Sequence, residues 1–114
     1  MKVLVTGGAG LVGSECCRLF AGSGWEVISV DAYMRAKIFG KDAETKETMQ
    51  KVRKEYNIEH HEMDIRDEKI VDLVEKVDAV IHTAAQPSHP KSIEIPMEDF
   101  QINAYGTLFL LEQV

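Results

Sequence analysis

A chain of 114 residues is one domain by length, able to bury roughly two thirds of its unfolded surface around a single core. Its net charge of −6, with basic residues scattered among acidic neighbours, excludes a nucleic-acid surface, and no apolar run approaches the ~20 residues that span a membrane. The two cysteines, Cys16 and Cys17, are adjacent and cannot close an ordinary disulfide, and glycines interrupt the N-terminal apolar stretch where a signal peptide stays unbroken. The expectation is a soluble, cytoplasmic protein with reduced thiols.

Lys2 to Thr6, KVLVT, is predicted to be a short apolar strand. Gly7-Gly8-Ala9-Gly10 follows as a turn. Leu11, Val12, Cys16, Leu19 and Phe20 then recur at helical spacing, until Gly22-Ser23-Gly24 ends the helix. In such a strand, turn and helix, the spacing of Gly7, Gly10 and Gly13 has a physical reason. One glycine permits the tight turn, the next lets backbone amides approach a pyrophosphate, and the third lets the helix pack close to the strand. The helix N-terminus adds unpaired donors and a partial positive charge for that phosphate. A glycine turn alone is often only a turn, so a partner residue is required. Glu26 to Val30 reads as a second strand closed by Asp31, about 20 residues beyond the glycines, where a carboxylate accepts both hydroxyls of an adenosine ribose. The same charge repels a 2′-phosphate, so NAD is expected in preference to NADP.

From Ala32 the chain turns polar and charged, and is read as a loop leading into a surface helix from about Ala43 to Tyr56, with Met49, Val52 and Tyr56 as its apolar stripe. Ile58 to Met63 is a third strand ending at Asp64. Asp67 caps a helix whose Ile70, Val71, Leu73 and Val74 face inward. Asp78 to His82 is the fourth strand, its Ala79-Val80-Ile81 run suited to an interior parallel strand covered on both faces. Thr83 to Pro96 is read as a loop punctuated by Pro87, Pro90 and Pro96, and Met97 to Val114 as one helix. Alternating strands and helices predict an α/β, Rossmann-type fold: a parallel sheet of four strands in the order 3-2-1-4, with helices on both faces. The ligand crevice then lies beyond the strand C-termini, where the glycine turn, Asp31, Asp64 and His82 to His89 converge.

These residues resemble a known family. TGGAGLVG at Thr6 to Gly13, Asp31, Asp64-Ile65-Arg66-Asp67, HTAAQPSH at His82 to His89 and FQINAYGTLFLLE at Phe100 to Glu112 are similar to the extended short-chain dehydrogenase/reductases, the NAD-dependent sugar-nucleotide epimerases and dehydratases. HTAAQPSH most resembles the CDP-tyvelose (CDP-paratose) 2-epimerase branch. The resemblance implies that Gly7, Gly10 and Gly13, with the backbone of Leu11 and Val12, hold the pyrophosphate of NAD and that Asp31 binds its adenosine ribose. It further implies that Asp64 and Ile65 contact the adenine, that Ala84, Ala85 and Gln86 line the nicotinamide side, and that Ser88 and His89 approach a nucleotide sugar, CDP-linked by that branch. Asn103 ties its helix to the fourth strand.

Plainer readings stand beside these. Asp64 is also suited to lead a helix, His82 to pack as a hydrogen-bonded strand residue, and Asn103 to a structural role. His60 and His61 are neighbours in a strand, so their side chains face opposite ways and a shared metal site is not expected. In the family a Ser or Thr on the next strand and a Tyr-x-x-x-Lys pair on the next helix transfer the proton, and no catalytic residue is expected within these 114 residues. The literal Tyr33-x-x-x-Lys37 follows the second strand, far from the hydride chemistry, and is read as a coincidence. Residues 1–114 are therefore expected to be the dinucleotide-binding domain of an epimerase, truncated relative to the family, binding without turnover and self-associating through the fourth strand and last helix. The alternative is a stand-alone dinucleotide-binding or sensor module.

Overall fold

The computed structural model describes every residue from Met1 to Val114. The strands are β1 (Lys2–Thr6), β2 (Glu26–Asp31), β3 (Glu59–Glu62) and β4 (Ala79–His82). The helices are α1 (Leu11–Gly22), α2 (Met34–Phe39), α3 (Lys46–Glu55), α4 (Ile70–Val74), α5 (His89–Glu94), α6 (Pro96–Phe100) and α7 (Gly106–Gln113). A 3₁₀ turn at Lys41–Ala43 precedes α3, and a π-helical turn at Gln101–Tyr105 joins α6 to α7.

The strands form one parallel sheet in the order β3-β2-β1-β4, as expected. β1 is central and buried on both faces because its side chains alternate between two cores. Val3 and Val5 point to one side, with Val27, Cys17, Met49, Val52 and Ile58, under α1 and α3. Leu4 points to the other, with Ile28, Val30, Ile70, Leu73, Val74 and Leu110, under α4 and α7. Right-handed crossovers place these helices on both faces and leave the C-terminal ends of all strands at one edge. No helix is long and apolar enough to cross a membrane.

The structure corrects four element boundaries. The segment after Ala32 is not a plain loop: Met34 and Ile38, four residues apart, carry α2, which Gly40 ends at φ 94°. The proline-punctuated stretch contains α5 and the start of α6. Pro90 and Pro96 lie in first helical turns, where the missing amide has no intrahelical partner to lose, and the Ser88 hydroxyl caps α5 by accepting from the Lys91 amide at 3.2 Å. The last helix is broken by the π turn, which inserts a residue between α6 and α7. Asp67 accepts from the Lys69 amide at 2.9 Å, but the regular helix begins only at Ile70. β4 is the outer strand beside β1, and all four of its residues are only half-buried, unlike the covered interior strand expected.

Candidate functional site

Beyond the C-terminal ends of the strands lies a cleft of about 340 Å³. Ten of the residues singled out in the sequence line it: Gly7, Gly10, Leu11, Val12, Gly13, Asp31, Asp64, Ile65, Ala84 and Ala85. They come from four separate segments, so the fold itself brings them together.

The glycine turn forms the floor. Gly7 takes φ 70°, a left-handed conformation that side chains resist, and a Cβ there would stand 2.7 Å from the Ala84 amide nitrogen. A Cβ on Gly13 would overlap the Gly7 carbonyl oxygen, and one on Gly8 would overlap the Ser29 hydroxyl. Those three glycines are required by the fold. Gly10 differs, because a Cβ there would meet only the Gly7 oxygen, at 3.2 Å, and Gly10 lines the cleft. The amides of Gly7 and Gly8 donate to the Val30 carbonyl and that of Gly10 to Gly7, whereas those of Leu11, Val12 and Gly13 find no acceptor within the chain. Three free amides at the start of a twelve-residue helix are suited to an anion. Leu11 and Val12 hold large apolar side chains 84% and 62% exposed beside them.

Asp31 ends β2 beside this floor. Its Oδ2 accepts from the Ala9 amide at 3.0 Å and its Oδ1 from the Tyr33 amide at 2.7 Å. Each oxygen keeps capacity for a second donor, the number that a pair of vicinal hydroxyls presents. Asp64 is held differently. Arg66 donates to its Oδ1 from both the backbone amide and Nε, each at 2.9 Å, and to Oδ2 from Nη2 at 2.6 Å. These bonds hold the Asp64 carboxyl below the usual carboxylate range, so it is anionic, with Oδ2 carrying a single donor. The Arg66 guanidinium continues to Gln101 at 3.5 Å and Glu98 at 3.6 Å, tying the loop after β3 to the helical segment around Phe100.

The structure parts Gln86 from Ala84 and Ala85. Gln86 is 4% exposed and does not line the cleft: its Nε2 donates to Asp99 Oδ1 at 2.7 Å and to the Ser88 carbonyl at 3.0 Å, while its Oε1 accepts from the Ser88 amide at 2.7 Å. Its side chain is committed to a clamp beside the cleft. Asn103 completes the clamp, accepting from the Gln86 amide at 2.7 Å and donating to the Gln86 carbonyl at 2.9 Å. It therefore ties its helix to the loop after β4 and not to the strand. Gln86, Ser88, His89, Asp99 and Asn103 line a second, polar hollow next to the cleft.

His82 ends β4, outside the lining of the cleft. The Thr107 hydroxyl donates to the Asn103 carbonyl at 2.6 Å, so it accepts from His82 Nε2, 3.0 Å away. Thr6 Oγ1 accepts from the amides of Thr83 and Ala84, at 3.1 and 3.3 Å, so its own proton goes to His82 Nδ1 at 2.7 Å. The network assigns a neutral imidazole protonated on Nε2, and burial pushes its pKa below the ordinary value. His82 is a strap between sheet and α7, with no free nitrogen for proton transfer.

Tyr33 sits in the core and does not line the cleft. Its ring is buried, its hydroxyl is 2.7 Å from His60 Nε2, and burial, followed by the charges of Asp31, Glu62 and Glu44, pushes the phenol up to about 12, while Lys37 is exposed. Burial likewise pushes the Cys17 thiol up to about 11, so it stays protonated.

Sequence reasoning missed one wall of the cleft. Met34, Arg35, Ile38 and Phe39, all of α2, also line it. The four-residue spacing of Met34 and Ile38 was the available signal, masked by the charged residues that follow.

The chain is 33% identical over 113 residues to the UDP-glucose 4-epimerase uge1 of Schizosaccharomyces pombe, covering 96% of this chain and 30% of that protein. It is 34% identical over 116 residues to the UDP-glucose 4-epimerase of Mus musculus, covering 97% and 33%. Among solved structures it superposes on the UDP-glucose-4-epimerase of Stenotrophomonas maltophila with bound NAD and formylated UDP-arabinopyranose, at TM-score 0.85, 30% identity and coverage of 99% and 33%. It also superposes on the UDP-glucuronic acid 4-epimerase of Bacillus cereus in complex with UDP-glucuronic acid and NAD, at TM-score 0.83, 26% identity and coverage of 99% and 36%. The chain thus spans about a third of the length of these relatives. Residues 3–114 match the family described as NAD dependent epimerase/dehydratase, and a match along nearly the whole chain means that the chain belongs to that family.

Proposed function

We propose that residues 1–114 are the dinucleotide-binding domain of a cytoplasmic, NAD-dependent nucleotide-sugar epimerase of the extended short-chain dehydrogenase/reductase type. The observation that carries this reading is the trio of unpaired amides at Leu11, Val12 and Gly13, opening beside Gly10 onto the cleft. Those amides receive the pyrophosphate of NAD, Asp31 the adenosine ribose, and Asp64 Oδ2 the adenine amino group beside Ile65. Ala84 and Ala85 border the nicotinamide. Ser88 and His89, in the adjoining polar hollow, face the nucleotide sugar, with Gln86 holding their loop. When bound, NAD supplies reversible hydride acceptance from a sugar carbon. The HTAAQPSH run favours a CDP-linked sugar, while the relatives described above act, by name, on UDP-linked ones. Competition between CDP and UDP for the NAD-loaded protein distinguishes the two.

The exposed face formed by Phe100, Leu108 and Leu111, together with the outer strand β4, supports self-association through that side. A second reading, a binding module without catalysis, is favoured by the buried, high-pKa Tyr33 and by the lack of a lysine four residues after Tyr56 or Tyr105. Calorimetric titration tests the cofactor assignment. NAD is expected to bind at least roughly tenfold more tightly than NADP, and equal affinities overturn the role of Asp31. Epimerisation of a nucleotide sugar by the chain alone overturns the expectation that it binds without turnover.

A further inference from the structure

We propose that Tyr33 and His60 are positioning residues that hold the Asp31 carboxylate in the orientation that receives the adenosine ribose. The inference rests on the ribose reading of Asp31. Neither residue touches the cleft: Tyr33 is 8% exposed, within the core formed by Val3, Val27, Met49 and Val52. Their connection to the cleft is through the backbone.

Tyr33 is the one non-glycine residue with a positive φ, 54°. A bulky aromatic residue resists that conformation, so the surrounding structure must impose it. The left-handed turn aims the Tyr33 amide back at Asp31 Oδ1, 2.7 Å away. Three contacts hold the turn in place. The ring is buried, Lys46 Nζ lies 5.3 Å from its centroid, and the hydroxyl sits 2.7 Å from His60 Nε2. His60 is itself fixed by its partner in the β2–β3 register, with Nδ1 3.1 Å from the Ser29 hydroxyl. Ser29 in turn occupies the space that a side chain on Gly8 would need. A polar chain therefore runs from β3 through β2 to the underside of the glycine turn, and its other end grips Asp31.

The two donors on Asp31 have separate origins. The Ala9 amide on Oδ2 belongs to the glycine turn, and the Tyr33 amide on Oδ1 depends on the anchored tyrosine. Cutting the Tyr33–His60 bridge leaves one fixed donor, and the carboxylate is free to rotate about it. The lost property is then selective: recognition of ribose hydroxyls declines, while pyrophosphate binding stays.

The test compares NAD with its 2′-deoxyadenosine analogue by calorimetry, in the unmutated chain, Asp31→Ala, Tyr33→Phe, His60→Leu and the double variant. Tyr33→Phe keeps the ring and its packing, so it decides the outcome even where His60→Leu fails to fold. The unmutated chain is expected to favour NAD over the analogue by roughly tenfold, the worth of one hydrogen bond to a charged group, and Asp31→Ala to abolish that ratio. Tyr33→Phe and His60→Leu are each expected to cut the ratio to roughly threefold, and the double variant no further, since both break one bridge. If Tyr33→Phe weakens both ligands equally or changes neither, while Asp31→Ala still abolishes the ratio, the positioning role is overturned and the ribose reading stands. An unmutated chain that does not discriminate overturns both.

Discussion

The two segments that meet at the cleft, the glycine turn after β1 and the loop after β4, are built on opposite principles. The turn is made of backbone, with three of its glycines placed where a side chain would collide with Ala84, Ser29 or Gly7. The loop is made of side chains: Gln86 and Asn103 use their amide groups to satisfy one another's surroundings and to reach Asp99 and Ser88. One region fails when atoms are added and the other when atoms are removed. The two also depend on each other, since the loop backbone at Thr83 and Ala84 lies against Gly7 and leaves no room there for a side chain.

The largest effect comes from adding atoms where the turn has no room. In Gly13→Val a Cβ would overlap the Gly7 carbonyl oxygen, a rigid backbone atom that cannot yield, and the Thr83 hydroxyl lies 2.8 Å away. Overpacking of backbone on backbone belongs among the exceptional substitutions, and a loss of roughly 4 kcal/mol or more is expected, enough to unfold a domain of this size. Gly10→Val separates fold from function within the same turn. Its Cβ meets the same Gly7 oxygen, but at 3.2 Å, tight without overlap, so a folded chain with a modestly lowered Tm is expected, with NAD binding lost by calorimetry. If Gly10→Val unfolds, or folds and still binds NAD, the division of labour among the glycines is wrong.

Removing atoms from the clamp is expected to cost less. Asn103→Ala deletes the partners of both the amide and the carbonyl of Gln86, whose residue is buried. Leaving such groups unpaired costs roughly 1–3 kcal/mol, partly relieved where water enters from the polar hollow, and a fall in Tm of roughly 4–12 °C follows. Asn103→Asp keeps the acceptor for the Gln86 amide but sets a second carboxylate where Asn103 Nδ2 donates to Asp99 Oδ1 at 3.2 Å and to the Gln86 carbonyl at 2.9 Å, so it should cost at least as much as Asn103→Ala. Equal melting temperatures for Asn103→Ala and the unmutated chain mean that the loop holds itself.

This contrast also explains what the sequence revealed. A turn whose constraint is the absence of side chains leaves glycines at fixed spacing, and Gly7, Gly10, Gly13 and Asp31 were legible for that reason. Strand order followed from the alternation of apolar segments with helices, and Asp64 from its place after β3, whereas Ile65 was singled out only by the family resemblance. The clamp gives no such signal. Gln86 reads as a polar loop residue, and Asn103, which pairs with the Gln86 backbone amide and carbonyl, lies in a π turn that shifts it relative to a regular helix. Helix α2 was hidden for a related reason. Its six residues are too few for periodicity to stand out, and its N-terminus rests on a left-handed Tyr33 held by His60, a contact between residues 27 apart. Tyr33 and Lys37 match the spacing of a catalytic pair, yet the Tyr33 hydroxyl is bonded to His60 within the core while Lys37 is exposed.

The smallest expected effect tests the strap that joins the two regions. His82 accepts from Thr6 at the base of the glycine turn and donates to Thr107, behind the clamp. Both Thr6 acceptor positions are taken by the amides of Thr83 and Ala84, so a proton on His82 Nδ1 would face the Thr6 proton, donor against donor. Burial lowers the folded-state pKa below the unfolded value of about 6.5. In the window between the two, the unfolded chain binds the extra proton, so the contribution of His82 is complete above about 6.5 and is lost as pH falls below it. One neutral hydrogen bond is worth roughly 0.5–1.5 kcal/mol, and the ring is only half-buried, so the lower end applies and Tm should fall by a few degrees. His60, whose pKa burial also lowers, adds a loss of the same sign. The His82 share is therefore read as a difference: between pH 7 and pH 5.5, Tm of the unmutated chain should fall by roughly 2–4 °C more than that of His82→Gln. Parallel curves for the two proteins mean that the proton order assigned to Thr6, His82 and Thr107 is wrong.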